Sequence, residues 1–477
     1  MQPFPTSAPP LLTADALTLG NGAATLRLRL PWIRSLPLSS VRGLELRVDG
    51  TDVPVTELIT SGSAASPGGL ADTTQWWHLQ DALEVRTGLS LDPGAHDVQV
   101  SLRLLVPYLP GGPDTPLVIT CTDSAVLTAD AAAPPAATHD RTAVEVPPAP
   151  LALPEGWVLT ASAFNWTPEI LRGARPAVDI VQGIVVEGVA RVIEVEPGQT
   201  WRSFPATPDD EAERLRAGLV ADGGSVSIVG ASLDDWLDES RRRTDDDRLA
   251  FLLPQLRTAR ALGAHGVRLP IGQAGPALLT RLLPYLHEWD LTLYEEMQGP
   301  QRPSSVQGAL SEIADRDDPR LRLLVDCSLL MPALPPTYLA ALQRAGVRPA
   351  LLDRLASDWL DEGTPDAVIA ALRDGSVPAG AHTLFMDLIV RFGRSQVADL
   401  ADLLPLVGAF HLKFWDLHDD DSRISAPLRE LGDLLRTRGF AGTLCSEWGG
   451  HGWLADEQPA DMTRRHLALA ASALTGR

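Results

Sequence analysis

The sequence predicts a multidomain protein in which an N-terminal antiparallel β-sandwich, residues 1–128, precedes a (β/α)8 TIM barrel, residues 157–477. Three observations predict this order. Apolar residues alternate with a period of two up to about residue 128, a stretch rich in alanine and proline follows, and beyond Gly156 short apolar segments alternate with helical ones. The chain is long enough for two or three domains of ordinary size.

The N-terminal region contains alternating segments that are separated by turn signals. The segments ATLRLRLPW (24–32) and HDVQVSLRLLVPYL (96–109) alternate apolar and polar side chains, and LELRVDGTDVPV (44–55) contains the hairpin signal Asp49-Gly50. Short antiparallel strands of this kind bury one face each, so we expect them to pack as a sandwich.

Residues 129–156, ADAAAPPAATHDRTAVEVPPAPLALPEG, have the composition of a linker. Alanine and proline favour a semi-extended chain without a core of its own. We therefore place the boundary between the two domains in this segment.

Eight apolar strand candidates follow the linker, and helical stretches rich in leucine, alanine and arginine separate them. Eight such repeats favour a closed barrel over an open doubly wound sheet, and the lack of a glycine-rich loop after the first strand disfavours a dinucleotide fold. Residues 331–408, between the sixth and seventh candidates, contain two extra helical patterns and predict an insertion over the barrel mouth. The candidates are residues 158–166, 189–197, 224–232, 265–272, 291–299, 321–330, 409–417 and 442–450.

The composition excludes several kinds of partner and compartment. A formal net charge of −21 disfavours binding to nucleic acid or to acidic membranes. No segment is apolar for long enough to cross a membrane, and the N-terminus MQPFPTSAPP lacks the features of a secretory signal, so we expect a cytoplasmic protein. The three cysteines lie far apart in the sequence, without the spacing of a disulfide scaffold or a zinc site.

The last four strand candidates each carry a carboxylate or an imidazole near the carboxyl end, where barrel enzymes place their catalytic groups. These groups are Glu295 or Glu296, Asp326, His411 and Glu447. Alternation along a strand places Glu295 and Glu296 on opposite faces. Carboxylates with an imidazole and no thiolate suit Mn²⁺, Mg²⁺ or Co²⁺, so the sequence predicts a divalent metal site.

Lys413 is the only lysine in the chain, and it follows His411 by two residues, on the same face of the strand. An amine close to a divalent cation has a depressed pKa and can transfer a proton near neutral pH, which arginine cannot do. The alternative is a plain ion pair with a carboxylate such as Asp416. Both interpretations remain open from the chemistry of the residues alone.

Aromatic and basic side chains near the strand ends are candidates for substrate contacts. Tryptophan rings stack on sugar rings or flat aromatic groups, although single tryptophans more often serve packing. Arg268, on the fourth barrel strand, is a candidate for contact with a substrate oxygen. The tryptophans in question are Trp166, Trp415, Trp448 and Trp453.

Four motifs give the second domain a resemblance to the xylose-isomerase-like barrels and, more narrowly, to the alpha subunit of bacterial C-glycoside deglycosidases. Three motifs are similar to Glu-x-His-x-Pro, His-Gly-Lys-Phe and Ser-Glu-Tyr-Glu-Gly-His of that subunit, and the fourth is Asp326 after an apolar strand. The N-terminal region resembles the beta subunit of the same enzymes in two segments, LRLPWIRSLPLSSVRGLELRVDGTDVP and LDPGAHDVQVSLRLLVPYLP. In this chain, the three motifs that are similar to the alpha subunit read EMQGP (296–300), HLKF (411–414) and SEWGGH (446–451).

The resemblance implies a metal-dependent enzyme that acts on 3-oxo-glycosides, with Mn²⁺ as the expected metal. It selects Glu296 over Glu295, so the implied ligands are Glu296, Asp326, His411 and Glu447. It further implies removal of the C2 proton, a metal-stabilised enediolate and β-elimination of the aglycone from C1. A separate sugar oxidoreductase would supply the oxidised substrate. A homo-oligomer is compatible with the sequence.

One departure from the family pattern affects the catalytic base. Gln298 stands where the pattern has a histidine, and an amide cannot accept the proton at neutral pH. Lys413 and His451 are the remaining candidates for the base. The sequence therefore leaves three functions open: a deglycosidase of the lyase type, a sugar isomerase or epimerase that uses the same enediolate, and a carbohydrate-binding pseudoenzyme.

Overall fold

The computed structural model describes residues 9–20, 23–129 and 153–476. Most of the predicted linker, residues 130–152, lies outside the described residues. The contacts within the chain define two compact units. The first contains the described residues before 145 together with Glu169–Ala177 and Asp234–Thr244, and the second contains the remaining described residues.

The first unit contains three antiparallel sheets. Their strand orders are β1-β2-β9-β6-β7, β11-β10-β4-β5 and β3-β8. The strands are β1 (Leu17–Gly20), β2 (Ala23–Arg29), β3 (Leu36–Pro37), β4 (Val41–Val48), β5 (Thr51–Asp52), β6 (Val55–Thr60), β7 (Ser63–Ala65), β8 (Trp76–Trp77), β9 (Ala82–Thr87), β10 (Ala95–Gly112) and β11 (Thr115–Thr128).

The predicted hairpin at Asp49-Gly50 is present between β4 and β5, where Val48 pairs with Thr51. Both turn residues have positive φ, 48° and 77°, as a two-residue turn matched to the twist of the strands requires. Along β2 the buried side chains alternate, and Leu26 and Leu28 belong to the core. The predicted antiparallel strands are thus confirmed, whereas the packing of the sheets as a sandwich stays a prediction.

The second unit is built on a closed barrel of eight parallel strands in sequence order, and the first strand pairs with the last. This arrangement confirms the predicted (β/α)8 barrel, and each strand lies within or overlaps its predicted segment. The strands are β12 (Trp157–Ser162), β13 (Val192–Val195), β14 (Ser225–Gly230), β15 (Gly266–Pro270), β16 (Thr292–Met297), β17 (Leu321–Asp326), β18 (Val407–Phe414) and β19 (Gly442–Trp448).

Helices follow or separate the barrel strands, and the insertion between β17 and β18 contains four described helices rather than the two that the sequence predicts. No described helix is both long and apolar enough to span a membrane. The described helices are α1 (Thr167–Arg172), α2 (Ala177–Val186), α3 (Pro197–Thr200), α4 (Asp209–Ala221), α5 (Asp245–Leu262), α6 (Gly275–Glu288), α7 (Gln307–Arg316), α8 (Pro336–Arg344), α9 (Pro349–Ser357), α10 (Thr364–Arg373), α11 (His382–Val390), α12 (Ser425–Thr437) and α13 (Pro459–Thr475).

The insertion has an apolar core of its own, in which Tyr338, Trp359 and Phe392 are buried. The chain that leaves α11 is tied to the carboxyl ends of the barrel strands. The Gly393 backbone N–H donates to the carbonyl of Ser328, just beyond β17, at 2.8 Å. Arg391 donates to the carbonyl of Gly449, just beyond β19, at 3.0 Å. The insertion therefore covers part of the barrel mouth, as the sequence predicts.

Asp387 in α11 is expected to make the stability of this insertion depend on pH. Its carboxyl group is buried, and burial raises its pKa to about 6 even though Arg391 opposes the shift. Because the folded state binds this proton more tightly than the unfolded state, the wild type loses stability as the pH rises from about 4 to about 6. We expect Asp387→Asn to remove this loss, which is at most about 3 kcal/mol for a shift of about two pKa units.

Thermal unfolding of the wild type and Asp387→Asn at pH 4.5 and pH 7.0 checks this expectation. The Tm of the variant minus the Tm of the wild type should be larger at pH 7.0 than at pH 4.5. If that value is instead smaller at pH 7.0, the ion pair with Arg391 outweighs the cost of burying the carboxylate.

Candidate metal centre and active site

The carboxyl ends of four consecutive barrel strands bring together the four predicted metal ligands. Glu296 lies on β16, Asp326 ends β17, His411 lies on β18 and Glu447 lies on β19. Their ligand atoms lie within 4.8 Å of one another, and all four residues are buried. His411 Nδ1 is 2.8 Å from Glu447 Oε2, 2.9 Å from Glu296 Oε1 and 4.0 Å from Asp326 Oδ2. A cluster of this composition can hold a divalent cation.

Glu295 and Glu296 have different surroundings, although they are adjacent in β16. Glu295 Oε2 accepts a hydrogen bond from the backbone N–H of Gly272 at 3.2 Å, and burial raises the pKa of Glu295 to about 7. Only Glu296 of the two belongs to the cluster with His411. The alternation along the strand therefore places the side chains as the sequence predicts.

The hydrogen bonding of His411 fits a metal at its Nδ1 atom. Nε2 lies 3.0 Å from Glu194 Oε2 in a hydrogen bond of good geometry. Nδ1 is buried and has no hydrogen bond of acceptable geometry among the described residues, despite the carboxylate oxygens close by. A neutral imidazole that donates from Nε2 presents the lone pair of Nδ1 toward those oxygens, which is the arrangement that a metal ligand requires.

The charge around His411 also fits a cation. Five carboxylates and the two cations Arg268 and Lys413 give the described cluster a formal charge of −3 when His411 is neutral. Burial lowers the pKa of His411, but the neighbouring carboxylates outweigh that effect and raise it well above its usual value. A divalent cation would reduce the net charge to −1. The five carboxylates are Glu194, Glu196, Glu296, Asp326 and Glu447.

Arg268, the candidate for a contact with a substrate oxygen, lies among carboxylates of the protein. Its guanidinium contacts the carboxylate of Glu196, donates to Glu296 Oε2 at 2.8 Å and lies 3.9 Å from Glu194. The side chain is only 14% exposed. The guanidinium of Arg268 thus forms ion pairs with carboxylates of the protein, and its positive charge balances part of their negative charge.

Lys413 lies at the edge of the cluster. Its Nζ atom is 3.1 Å from Glu447 Oε2 and 3.9 Å from Asp326 Oδ2. The rings of Phe164 and Trp415 lie 5.4 Å and 5.8 Å from the same nitrogen. The lysine therefore pairs with carboxylates of the candidate metal site, whereas the carboxylate of Asp416 accepts a hydrogen bond from Thr337.

His451 is buried beside Lys413 and the aromatic residues. Its ring centroid lies 5.2 Å from that of Phe164 and 5.7 Å from that of Trp448. Neither ring nitrogen has a hydrogen-bond partner among the described residues. Burial, with the positive charges of Arg391 and Lys413, lowers its pKa to about 3. A shift in this direction favours the neutral form of the imidazole.

Comparison with curated proteins finds two kinds of relative. The chain is 25% identical over 328 residues to a C-glycoside deglycosidase alpha subunit of Arthrobacter globiformis, a match that covers 67% of this chain and 93% of that subunit. It is 38% identical over 104 residues to the 3′-dehydrocarminate deglycosidase beta subunit of a Microbacterium species, covering 21% of this chain and 79% of that subunit. The chain belongs to the C-glycoside deglycosidase family. No family model matches it.

The alpha and beta subunits of the deglycosidase relatives are separate chains, whereas this chain matches both. Similar solved structures include a 3-keto-D-glucoside 4-epimerase from E. coli, with 12% identity, a TM-score of 0.35 and coverage of 60% of this chain and 93% of that one. A xylose isomerase-like barrel protein from Mycobacterium smegmatis in complex with magnesium has 15% identity, a TM-score of 0.37 and coverage of 67% and 98%.

Gln298, at the position of the histidine in the deglycosidase pattern, follows the last residue of β16. Its backbone N–H donates to the side-chain oxygen of Gln301 at 2.8 Å, and the residue is partly exposed. The amide thus lies just beyond the strand that carries Glu296.

Three of the four candidate tryptophans are buried, and Trp453 is partly exposed. Trp448 is fully buried and its indole N–H donates to the carbonyl of Trp415, and Trp166 is 3% exposed. Trp415 stacks on Trp453 with ring centroids 5.9 Å apart. The indole nitrogen of Trp415 has no hydrogen-bond partner among the described residues.

Sequence reasoning missed two glutamates of the site, Glu194 and Glu196. Glu194 lies on β13 and Glu196 follows its last residue, so both are at the carboxyl end of the second barrel strand. Two glutamates separated by one valine in an apolar strand lie on the same face of the strand. This spacing of two residues was the sequence signal that could have revealed them. Burial raises the pKa of Glu196, which contacts Arg268.

Proposed function

We propose that the protein is a metal-dependent deglycosidase of the lyase type that acts on 3-oxo-glycosides. The observation that carries this proposal is the position of an amine, Lys413 Nζ, 3.1 Å from a carboxylate of a buried three-carboxylate and one-histidine cluster. The matches to both deglycosidase subunits support the same reaction class. A sugar oxidoreductase that acts at C3 would supply the substrate.

The ligands of the proposed metal are Glu296, Asp326, His411 and Glu447. These donors are hard or borderline, which favours Mn²⁺, with Mg²⁺ or Co²⁺ as alternatives. When bound, the divalent ion would act as a Lewis acid that stabilises negative charge on the substrate oxygens.

The reaction that we propose breaks one C–H bond and one glycosidic bond. The ketone at C3 acidifies the proton on C2, and a base of the protein accepts that proton. The electron pair of the C2–H bond then forms the C1–C2 double bond, while the aglycone leaves C1 with the electrons of the glycosidic bond and takes up a proton. No oxidant is consumed in this step.

We infer that Lys413 is the base, because its Nζ atom lies at the edge of the ligand cluster, 3.1 Å from Glu447, and because an amine, unlike a guanidinium, can take part in proton transfer. Gln298 cannot accept a proton, and its amide can contribute hydrogen bonds to the sugar. His451 is the alternative base. Its unpartnered ring nitrogens also suit a hydrogen bond to a substrate oxygen.

Incubation of the Mn²⁺-loaded protein with 3-oxo-C-glycosides, 3-oxo-O-glycosides and the matching unoxidised glycosides tests the proposal. We expect chromatography to show release of the aglycone from oxidised substrates only. Release from neither oxidised class would contradict the lyase function.

The second candidate function is a sugar isomerase or epimerase, which would use the same enediolate chemistry at the same cluster of residues. Such an enzyme would exchange the C2 proton with solvent deuterium and form a new sugar without release of the aglycone. NMR spectra of the same incubations in deuterium oxide separate the two reactions.

The third candidate is a carbohydrate-binding pseudoenzyme, and Gln298→His tests it. If Lys413 already supplies the base, the new histidine should change the rate of aglycone release by less than about tenfold, because the two groups would act on the same proton. Assays with one 3-oxo-glycoside should show this small change. Activity that appears only in the variant would favour the pseudoenzyme.

We further infer that residues 1–128 form a sandwich of the beta-subunit type and that residues 157–477 form the catalytic domain. The antiparallel sheets of the first region and the barrel of the second support this division. One chain would then supply the two parts that are separate subunits in the relatives.

A further inference from the structure

Glu194 is a buried carboxylate that contacts a predicted metal ligand without belonging to the four-residue cluster. It lies on β13, and its side chain is 1% exposed. Its Oε2 atom lies 3.0 Å from His411 Nε2, on β18. Its other oxygen, Oε1, has no hydrogen-bond partner among the described residues. The imidazole is therefore the hydrogen-bonding partner of this carboxylate.

We propose that Glu194 is a positioning residue that fixes the tautomer of His411, with the proton on Nε2 and the lone pair on Nδ1. A neutral imidazole carries one ring proton, and a carboxylate that accepts from one nitrogen assigns the proton to that nitrogen. The other nitrogen, Nδ1, is the one that lies 2.8 Å and 2.9 Å from Glu447 and Glu296. The proposal rests on the proposed function, because it assumes that His411 binds the metal.

The same contact has a second effect. A carboxylate that accepts the distal N–H of an imidazole makes the proximal nitrogen a better donor and holds the ring in place. Arg268 adds a positive charge close to the same carboxylate, since its Nε atom lies 3.9 Å from Glu194 Oε2. Ring rotation of His411 would break the hydrogen bond and remove Nδ1 from the carboxylates.

A competing assignment makes Glu194 a direct ligand of a different metal, together with His411 and Cys445, since these three also lie close together. The thiol of Cys445 is fully buried and contacts the carbonyl of Ser446. His411 Nε2 is already engaged by Glu194. The chemistry of the two nitrogens thus favours one metal at Nδ1 and a supporting carboxylate at Nε2.

Mn²⁺ titration of the apoprotein by calorimetry tests the role of Glu194 in Glu194→Gln and Glu194→Ala. We expect both variants to bind Mn²⁺ about 10- to 100-fold more weakly than the wild type, as is typical when a supporting partner of a metal-ligating histidine is removed. Glu295→Gln is the matched control, because Glu295 is also a buried strand carboxylate but has no contact with the cluster, and its affinity should equal that of the wild type. Circular dichroism of each apoprotein shows whether it is folded.

The tautomer itself can be observed by nitrogen-15 NMR of histidine in the Mg²⁺-loaded protein. The wild type should carry the His411 proton on Nε2, and in Glu194→Ala the Nε2 signal should shift because the N–H has lost its hydrogen-bond acceptor. Unchanged Mn²⁺ affinity in a folded Glu194→Ala protein, or a wild-type proton on Nδ1, would overturn the inference.

These measurements use no substrate, so they separate the two proposals. A wild type that binds Mn²⁺ but releases no aglycone contradicts the lyase function and leaves the role of Glu194 standing. A wild type that binds no divalent cation overturns both.

Discussion

Lys413→Arg is expected to slow aglycone release by about 10²- to 10⁴-fold, the usual contribution of general acid–base catalysis. The variant keeps a positive charge near Glu447 and Asp326, but a guanidinium does not give up its proton near neutral pH. If Lys413 is the base, the loss should therefore fall on kcat. The affinity for Mn²⁺ should change much less, because the ligand set is intact.

Lys413→Met provides the matched comparison, since it removes both the charge and the proton-transfer group. Steady-state kinetics with one 3-oxo-glycoside and calorimetric Mn²⁺ titration should be run on both variants. Full activity in Lys413→Arg together with loss in Lys413→Met would show that only the charge matters. Lys413 would then be an ion-pair partner of Glu447, and His451 would become the leading candidate for the base.

Glu296→Gln is expected to reduce bound Mn²⁺ from about one ion per chain to a small fraction of that, and to lower turnover by about 10³-fold or more. The estimate follows because loss of the Lewis acid forfeits several kcal/mol of charge stabilisation, and each 1.36 kcal/mol corresponds to about tenfold in rate. The variant also removes the carboxylate that accepts a hydrogen bond from Arg268.

Glu295→Gln controls for the same change at the neighbouring position. Glu295 hydrogen-bonds to Gly272 and does not belong to the cluster, so its variant should keep both the metal and the activity. Elemental analysis after dialysis, combined with turnover measurements, compares the pair directly. Equal Mn²⁺ content in the two variants would contradict the assignment of Glu296 as a ligand.

The barrel was predictable because its physical signal is local. Each strand is a short apolar run that must be buried, and the helices between the strands follow their own apolar period. The group of Glu296, Asp326, His411 and Glu447 was predictable for a related reason, since parallel strands in a closed barrel bring all their carboxyl ends to one side. Alternation then separated Glu295 from Glu296, although the family resemblance was needed to select between them.

The surroundings of the candidate substrate-binding residues were less predictable, because they depend on residues that are distant in the sequence. Trp448 ends β19 and Trp415 follows β18, and both are buried, with the indole N–H of Trp448 donating to the carbonyl of Trp415. Arg268 looks equally available in the sequence, but three glutamates from two other strand ends surround it. Packing of this kind is set by partners that are distant in the sequence.

By itself, the sequence determined the order of an antiparallel β region and a barrel, the four candidate ligands and the unusual position of the single lysine. Only the tertiary structure showed that Glu194 meets His411 across the barrel, that Lys413 pairs with Glu447 rather than Asp416, and that Glu196 holds Arg268. The physical reason is that periodicity fixes the face on which a side chain lies. The closure of the barrel decides which charges from other strands share that space.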